Sequence, residues 1–233
     1  MSDYLILEQR AESLLQNQDA VLSAVDKEQA FREALARYNR DAPHTIVENF
    51  TGDGALYQFT FVGAFLPGFS QIDSVELPTG SRPQTFLEAA DYRIYRSATS
   101  TVVLDLPHHT PDSGDTMRVT YTVRHTIQDL DLAAATTIPV WHEEAVTTLA
   151  ASRMLARLAS RFIHEQDSTI DADAINRNSK DESAAKRSRA FESDYKDLMG
   201  IRKGVPPGLV VLDFDSSFSG SGMEYLTHGS RWR

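Results

Sequence analysis

The sequence predicts an α+β protein: a helical bundle carrying an inserted antiparallel β-sandwich or barrel, followed by an extended C-terminal arm. Three observations predict it. Apolar residues recur at three- and four-residue steps up to Pro43 and again after Pro139, the spacing of one helix face. Between those limits the period drops to two, as in half-buried strands. Beyond Gly200 neither period persists, and Pro, Gly and Ser punctuate the chain. The 233 residues therefore divide into N-terminal bundle helices (1–43), an inserted β-domain (44–130), long helices completing the bundle (131–200) and an arm (201–233).

Tyr4, Leu7, Ala11, Leu14 and Leu15 give the first helix, over about 4–17. Asp26-Lys27-Glu28-Gln29 then has the form of a capping box, with the Asp26 carboxylate accepting from the third helical residue and Gln29 reaching back. Ala30, Phe31, Ala34, Leu35 and Tyr38 form one stripe. It stops before Pro43, because a residue preceding proline favours extended geometry.

The strand-like region opens at Thr45–Phe50. Tyr57, Phe59 and Phe61 alternate with Gln58, Thr60 and Val62, and Val102, Leu104 and Leu106 make another set. Val119, Tyr121 and Val123 alternate with Arg118, Thr120, Thr122 and Arg124, the cleanest such run. Ile72–Leu77 and Asp91–Tyr95 are further candidates. Gly52-Asp53-Gly54, Pro67-Gly68, Pro78-Thr79-Gly80 and Pro111-Asp112-Ser113-Gly114 supply the turns. Six or so short strands without a helix between them mean antiparallel pairing.

After Pro139 the residues Trp141, Ala145, Val146, Leu149, Leu155, Leu158, Ala159, Phe162 and Ile163 predict a helix to about Glu165, roughly 35–40 Å long at 1.5 Å per residue. Ala150, Ala151, Ser152, Ala156 and Ser160 make it rich in small side chains, which let another helix approach closely. A polar linker, Gln166 to Arg177, precedes a last helix that starts near Asn178 or Ser179. Gly200 sits where a left-handed C-terminal cap belongs. The stripe of that helix is Ala184, Ser188, Phe191, Tyr195 and Leu198, a thin seam opposite a densely charged face.

In the arm, Pro206-Pro207-Gly208 breaks the chain, and Leu209-Val210-Val211-Leu212-Asp213-Phe214 reads as one isolated strand. A Ser/Gly-rich stretch follows, and then Tyr225, Leu226 and Trp232 stand among polar residues. Such a strand either joins the β-domain or adds to the sheet of another protein; the second is the expectation here.

Composition narrows the functions. A chain this long buries roughly 70–75% of its unfolded surface, so it needs no covalent staple. It contains no cysteine, which excludes disulfides, Fe–S sites and thiolate nucleophiles. No run approaches a membrane span, and MSDYLILEQR has no signal-peptide pattern. A net charge of -10 argues against a nucleic-acid clamp while suiting an acidic wall beside DNA.

Catalytic patterns fail on inspection. His142-Glu143-Glu144 begins like a zinc helix, but Val146 occupies the place of the second histidine. His108-His109 is an adjacent pair in a turn with no third ligand. Asp167, Asp171 and Asp173 lack the glycine and bidentate glutamate of a calcium loop. Asp213 and Asp215 share a strand face without a pocket to separate their pKa values. Gly52-Asp53-Gly54 is too short for a nucleotide fingerprint. The expectation is a non-enzyme without a cofactor or metal.

A series of segments in fixed order carries a resemblance. Ala34-Leu35-Ala36-Arg37-Tyr38-Asn39-Arg40-Asp41-Ala42-Pro43 leads into Val47-Glu48-Asn49-Phe50-Thr51-Gly52-Asp53-Gly54. Pro67-Gly68-Phe69-Ser70 and Asp91-Tyr92-Arg93-Ile94-Tyr95 follow. Thr136-Thr137-Ile138-Pro139 precedes the Ala-rich helix, and then come Gln166-Asp167-Ser168-Thr169-Ile170 and Asn178-Ser179-Lys180-Asp181-Glu182. Over roughly residues 25–200 the chain resembles the head-to-tail adaptor (connector, or head-completion) proteins of tailed bacteriophages. The first helix and the arm lie outside the matched region.

The resemblance implies a helical bundle with the β-domain inserted between its first and second core helices. It implies a virion protein of the phage neck, assembled in the host cytoplasm, that forms a homo-oligomeric ring, typically of about twelve subunits, under the portal protein. Such a ring extends the DNA channel, through which DNA passes without specific binding, and offers a surface to tail or stopper proteins. A C-terminal segment of such proteins commonly anchors to the portal, so the implied partner-binding residues are Leu209, Val210, Val211, Leu212, Phe214, Tyr225 and Trp232. The alternatives are a tail-completion or stopper protein, and a β-domain that binds carbohydrate or a host surface, for which Phe69 is the candidate aromatic.

Overall fold

The computed structural model describes residues 2–16, 22–62, 65–96, 101–164 and 180–201. Four helices, α1 (Tyr4–Leu15), α2 (Ala24–Asp41), α3 (Val140–His164) and α4 (Lys180–Leu198), enclose one core. Six strands, β1 (His44–Thr51), β2 (Gln58–Thr60), β3 (Ile72–Glu76), β4 (Arg93–Arg96), β5 (Val102–Asp105) and β6 (Thr116–Val123), enclose another. The β-region is inserted between α2 and α3, and the fold is α+β.

α3 is the central helix and packs against α1, α2 and α4. α1 meets it through Leu7, Ala11 and Leu15, all fully buried and four residues apart. Its start is fixed by Asp3, whose carboxylate accepts from the Ile6 N–H at 2.9 Å. α2 contributes Ala30, Phe31, Ala34 and Tyr38, and burying a side chain such as Phe31 contributes roughly 2–3 kcal/mol. The α2 cap corrects the sequence expectation. Ser23 is the capping residue, accepting from the Asp26 N–H at 3.2 Å, while Asp26 answers from the third position. Ser23-Ala24-Val25-Asp26 competes with Asp26–Gln29 for the same role, and the earlier tetrad adds three residues of helix.

The small residues of α3 do bring α4 close. Ser152 Oγ donates to the Ser188 carbonyl at 2.8 Å, and Ser188 Oγ donates back to the Ser152 carbonyl at 2.9 Å. Larger side chains at either position would separate the two backbones. α4 ends in a Schellman motif: Gly200, at φ 67°, bonds to the Asp197 carbonyl, and the Ile201 N–H reaches Lys196. Two residues of the expected stripes are not core. Trp141 is 79% exposed in the first turn of α3, and Leu198 is 46% exposed at the end of α4.

The strands form two antiparallel three-stranded sheets, β1-β6-β3 and β2-β5-β4, with no closed barrel among the described residues. β1 and β6, the first and last strands, run together without a register break from His44↔Val123 to Thr51↔Thr116. Inward residues of both sheets share one core, among them Phe50, Phe59, Leu104, Met117, Val119 and Tyr121. The fourth strand lies at Arg93–Arg96, two residues later than Asp91–Tyr95, because Asp91 is taken up in a turn to Glu88.

The Gly52 turn is closed by the Pro111–Gly114 loop. Gly52 donates to the Asp115 carbonyl at 2.8 Å and accepts from the Gly114 N–H at 3.1 Å. A Cβ on Gly52 would lie 2.6 Å from both the Asp112 carbonyl oxygen and Pro111 Cβ. Gly52→Ala should therefore cost about 1–3 kcal/mol of stability, read as a lower denaturant midpoint at unchanged slope. A midpoint equal to wild type would mean that the two loops do not touch.

Candidate functional site

Leu209, Val210, Val211, Leu212, Phe214, Tyr225 and Trp232, the residues expected to bind a partner, lie outside the described residues, as do Asp167, Asp171, Asp173, Asp213 and Asp215. The linker Gln166–Arg177 does too. What the structure gives is the junction between bundle and β-region, and the surfaces that flank it.

Three histidines far apart in sequence converge at that junction. His44 opens β1, His125 follows β6, and His142 lies in the first turn of α3. His125 is buried. Its ring centroid lies 5.1 Å from that of His44 and 4.9 Å from that of Tyr38. Its backbone N–H donates to Asn39 Oδ1 at 2.7 Å, and its ring Nδ1 sits 3.1 Å from both the carbonyl oxygen and Oγ1 of Thr137. The Tyr38 hydroxyl and His142 Nδ1 share a 2.7 Å hydrogen bond. Burial first, and the nearby His44 second, hold His125 down at about 4. Burial also lowers His142 and pushes the Tyr38 hydroxyl up to about 12. Both rings are thus kept neutral, as hydrogen-bonding parts of the junction. Among the described residues no group of three or more His, Asp and Glu is placed to hold a metal ion, and no helix is long and apolar enough to cross a membrane.

Glu143 ties the N-terminal segment to α3. Its buried carboxylate accepts from the Ser2 hydroxyl at 2.7 Å, the Ser2 N–H at 3.2 Å and Arg10 at 2.9 Å. Burial pushes this carboxyl up, but those donors outweigh it and hold the group below its ordinary value. His142-Glu143-Glu144 is therefore split three ways: His142 to Tyr38, Glu143 to Ser2 and Arg10, and Glu144 to the surface.

Several grooves open on the helical part, and two of them are of nearly equal size. One, of about 500 Å³, lies between the outer face of α2 and the segment 124–133, with Arg40 and Arg124 at its rim. The other, of about 490 Å³, lies between α1, α3 and α4, with Glu144, Asp194 and Asp197 at its rim. Phe69 is not a free aromatic platform, since the Arg124 guanidinium lies 5.3 Å over its ring. Tyr57 and Phe86 are the more exposed aromatics of the β-region, at 50% and 53%.

No protein-family model matches the sequence, and no curated protein matches it. Solved structures that resemble it include a chain described as "Neck of native GTA particle computed with C12 symmetry", with 15% identity and a TM-score of 0.27, over 67% of this chain and 79% of that one. Another is "Neck of empty GTA particle computed with C6 symmetry", with 12% identity and a TM-score of 0.28, over 73% of this chain and 87% of that one.

The junction and the grooves were not legible as sites beforehand. His44 opens a segment read only for its strand pattern, and His142 enters the sequence reading only as the first residue of an incomplete zinc helix, with nothing to link either to His125. Each groove joins elements distant along the chain, so no local pattern marks it.

Proposed function

We propose that the chain is a structural, non-enzymatic subunit of a phage-like neck: a head-to-tail adaptor that assembles as a ring under the portal, extends the DNA channel and presents a surface to the tail or its stopper. The observation that carries this reading is architectural. The helix that ends at Asp41 runs straight into β1, the β-region closes through β6, and Pro139 opens the long helix. That is the arrangement the resemblance over residues 25–200 implies. The net charge of -10 supports a channel that lets DNA slide past.

In this reading the arm is the portal anchor, with Val210, Leu212 and Phe214 on one side of an added strand. Deleting residues 204–233 is expected to leave a folded protein that no longer binds purified portal rings, read by co-sedimentation and by imaging an added collar of density. Because backbone pairing and apolar burial would hold the contact, binding by the full chain should persist at high salt. Retained binding after the deletion would remove the anchor role. If the full chain adds no collar to portal rings but binds tail proteins, it is a tail-completion or stopper protein instead.

A further inference from the structure

The two grooves carry opposite charge, and this bears on how one copy meets the next. At the groove beside α2, Arg40 and Arg124 have no carboxylate partner among the described residues: Arg40 Nε reaches only the Ala36 carbonyl, at 3.4 Å, and Arg124 lies over Phe69. Arg32, the third arginine there, is already paired with Asp131 at 2.8 Å and Glu28 at 3.0 Å. Leu35 and Leu130 supply apolar floor. At the groove between α1, α3 and α4, Glu144, Asp194 and Asp197 make no ion pair among the described residues, over a floor of Leu14, Phe191 and the half-exposed Leu198. Arg187, the cation near that floor, is committed to the Leu14 carbonyl at 3.0 Å.

For a chain of net charge -10, a second copy is repelled unless a local patch of cations meets a local patch of acids. These grooves supply both, at nearly equal volume and each with an apolar floor. They share no structural element. The α2 groove uses the side of α2 turned away from Ala30, Phe31, Ala34 and Tyr38, which face the core. One copy can therefore offer one groove to each of two neighbours, and a heterologous contact of that kind closes into a ring or continues as a filament. Beside the α2 groove stands an apolar knob of matching kind. Leu132 is fully exposed, at φ 62°, in a loop where Asp129 and Asp131 also have positive φ, and the Arg32–Asp131 pair holds that loop. Asp tolerates the left-handed region, whereas Leu132 is an uncommon occupant of it and is held there in the open.

We propose that neighbouring copies of this chain join head to tail, with Arg40 and Arg124 of one against Glu144, Asp194 and Asp197 of the next, and Leu132 set on the Leu14–Phe191–Leu198 floor. This rests on the ring reading above and names the surfaces that build the ring.

The test uses full-length chains and sedimentation velocity up to about 1 mM, where weak contacts register. One variant carries Arg40→Glu and Arg124→Glu, the other Asp194→Arg and Asp197→Arg; all four positions are exposed, so the fold is retained. Wild type is expected to associate, less so as salt rises. Each variant alone, now like-charged at both grooves, should associate roughly a hundredfold more weakly. An equimolar mixture should recover association, since each groove of one variant again faces its opposite on the other. Reversed variants that associate as wild type does would overturn the pairing and leave the ring reading intact. Association that vanishes on deleting 204–233 would also overturn it, by assigning the contact to the arm. A wild type that stays monomeric throughout ends the proposal, while portal imaging still decides the ring.

Discussion

Tyr121→Ala is expected to lower stability by roughly 3–5 kcal/mol, the largest single effect in the β-region. The Tyr121 side chain is fully buried at the centre of β6, between the rings of Phe61 at 5.1 Å and Phe65 at 5.3 Å. Its hydroxyl donates to Glu48 Oε2 at 2.7 Å across the β1–β6 pair. Alanine removes the ring that both phenylalanines pack against and leaves one carboxylate oxygen without its donor. Tyr121→Phe keeps the ring and loses only the hydrogen bond, so its cost should be about 1 kcal/mol. The helical and β cores share no buried residue, so amide exchange in Tyr121→Ala should quicken in β1 and β6 more than in α3. Equal midpoints for the alanine and phenylalanine variants would contradict this packing.

The second large effect is an acid weakness at the junction. His125 titrates at about 4 in the folded chain against 6.5 when unfolded. Between those values the unfolded chain binds a proton that the folded chain refuses, so stability rises with pH across that window. It is fully present above pH 6.5 and lost as pH falls toward about 4, a difference of about 3 kcal/mol. The groups facing His125 sharpen the effect. His44 packs against its ring, burial holds His142 below its ordinary value, and Tyr38, Asn39 and Thr137 offer no negative charge. His125→Gln, which can still hydrogen-bond but cannot titrate, should flatten the dependence of the urea midpoint between pH 4 and 6.5. An unchanged slope in that variant would assign the acid sensitivity to other groups.

Much of this fold was legible because each element carried its own punctuation. β1, β2, β3 and β6 adjoin turn signals such as Gly52-Asp53-Gly54 and Pro111–Gly114, α3 began just after its proline, and β4 and β5 were marked by their apolar residues alone. The misses have physical causes. Two overlapping tetrads both suited a helix start, and the earlier one holds, with the Ser23 hydroxyl accepting from the Asp26 N–H and the Asp26 carboxylate accepting from the Ser23 N–H. Trp141 has the spacing of a core residue but stands in the first turn of α3, where no described helix covers it. The histidine junction depends on β1 and β6 lying side by side, a fact of pairing rather than of composition. Opposite charge on the two grooves is hidden for the same reason, since a net value of -10 averages it away.

The His44↔Val123 pair has a consequence for how this molecule can vary. Strands paired in that way hold their backbones about 5 Å apart, so the polypeptide departs from the helices and returns to them at almost one point. Everything from residue 45 to 122 hangs on that doorway as an exchangeable cassette. It can lengthen, shorten or be replaced by a tight turn while α2 and α3 keep their places, provided that whatever is spliced in ends on two adjacent threads.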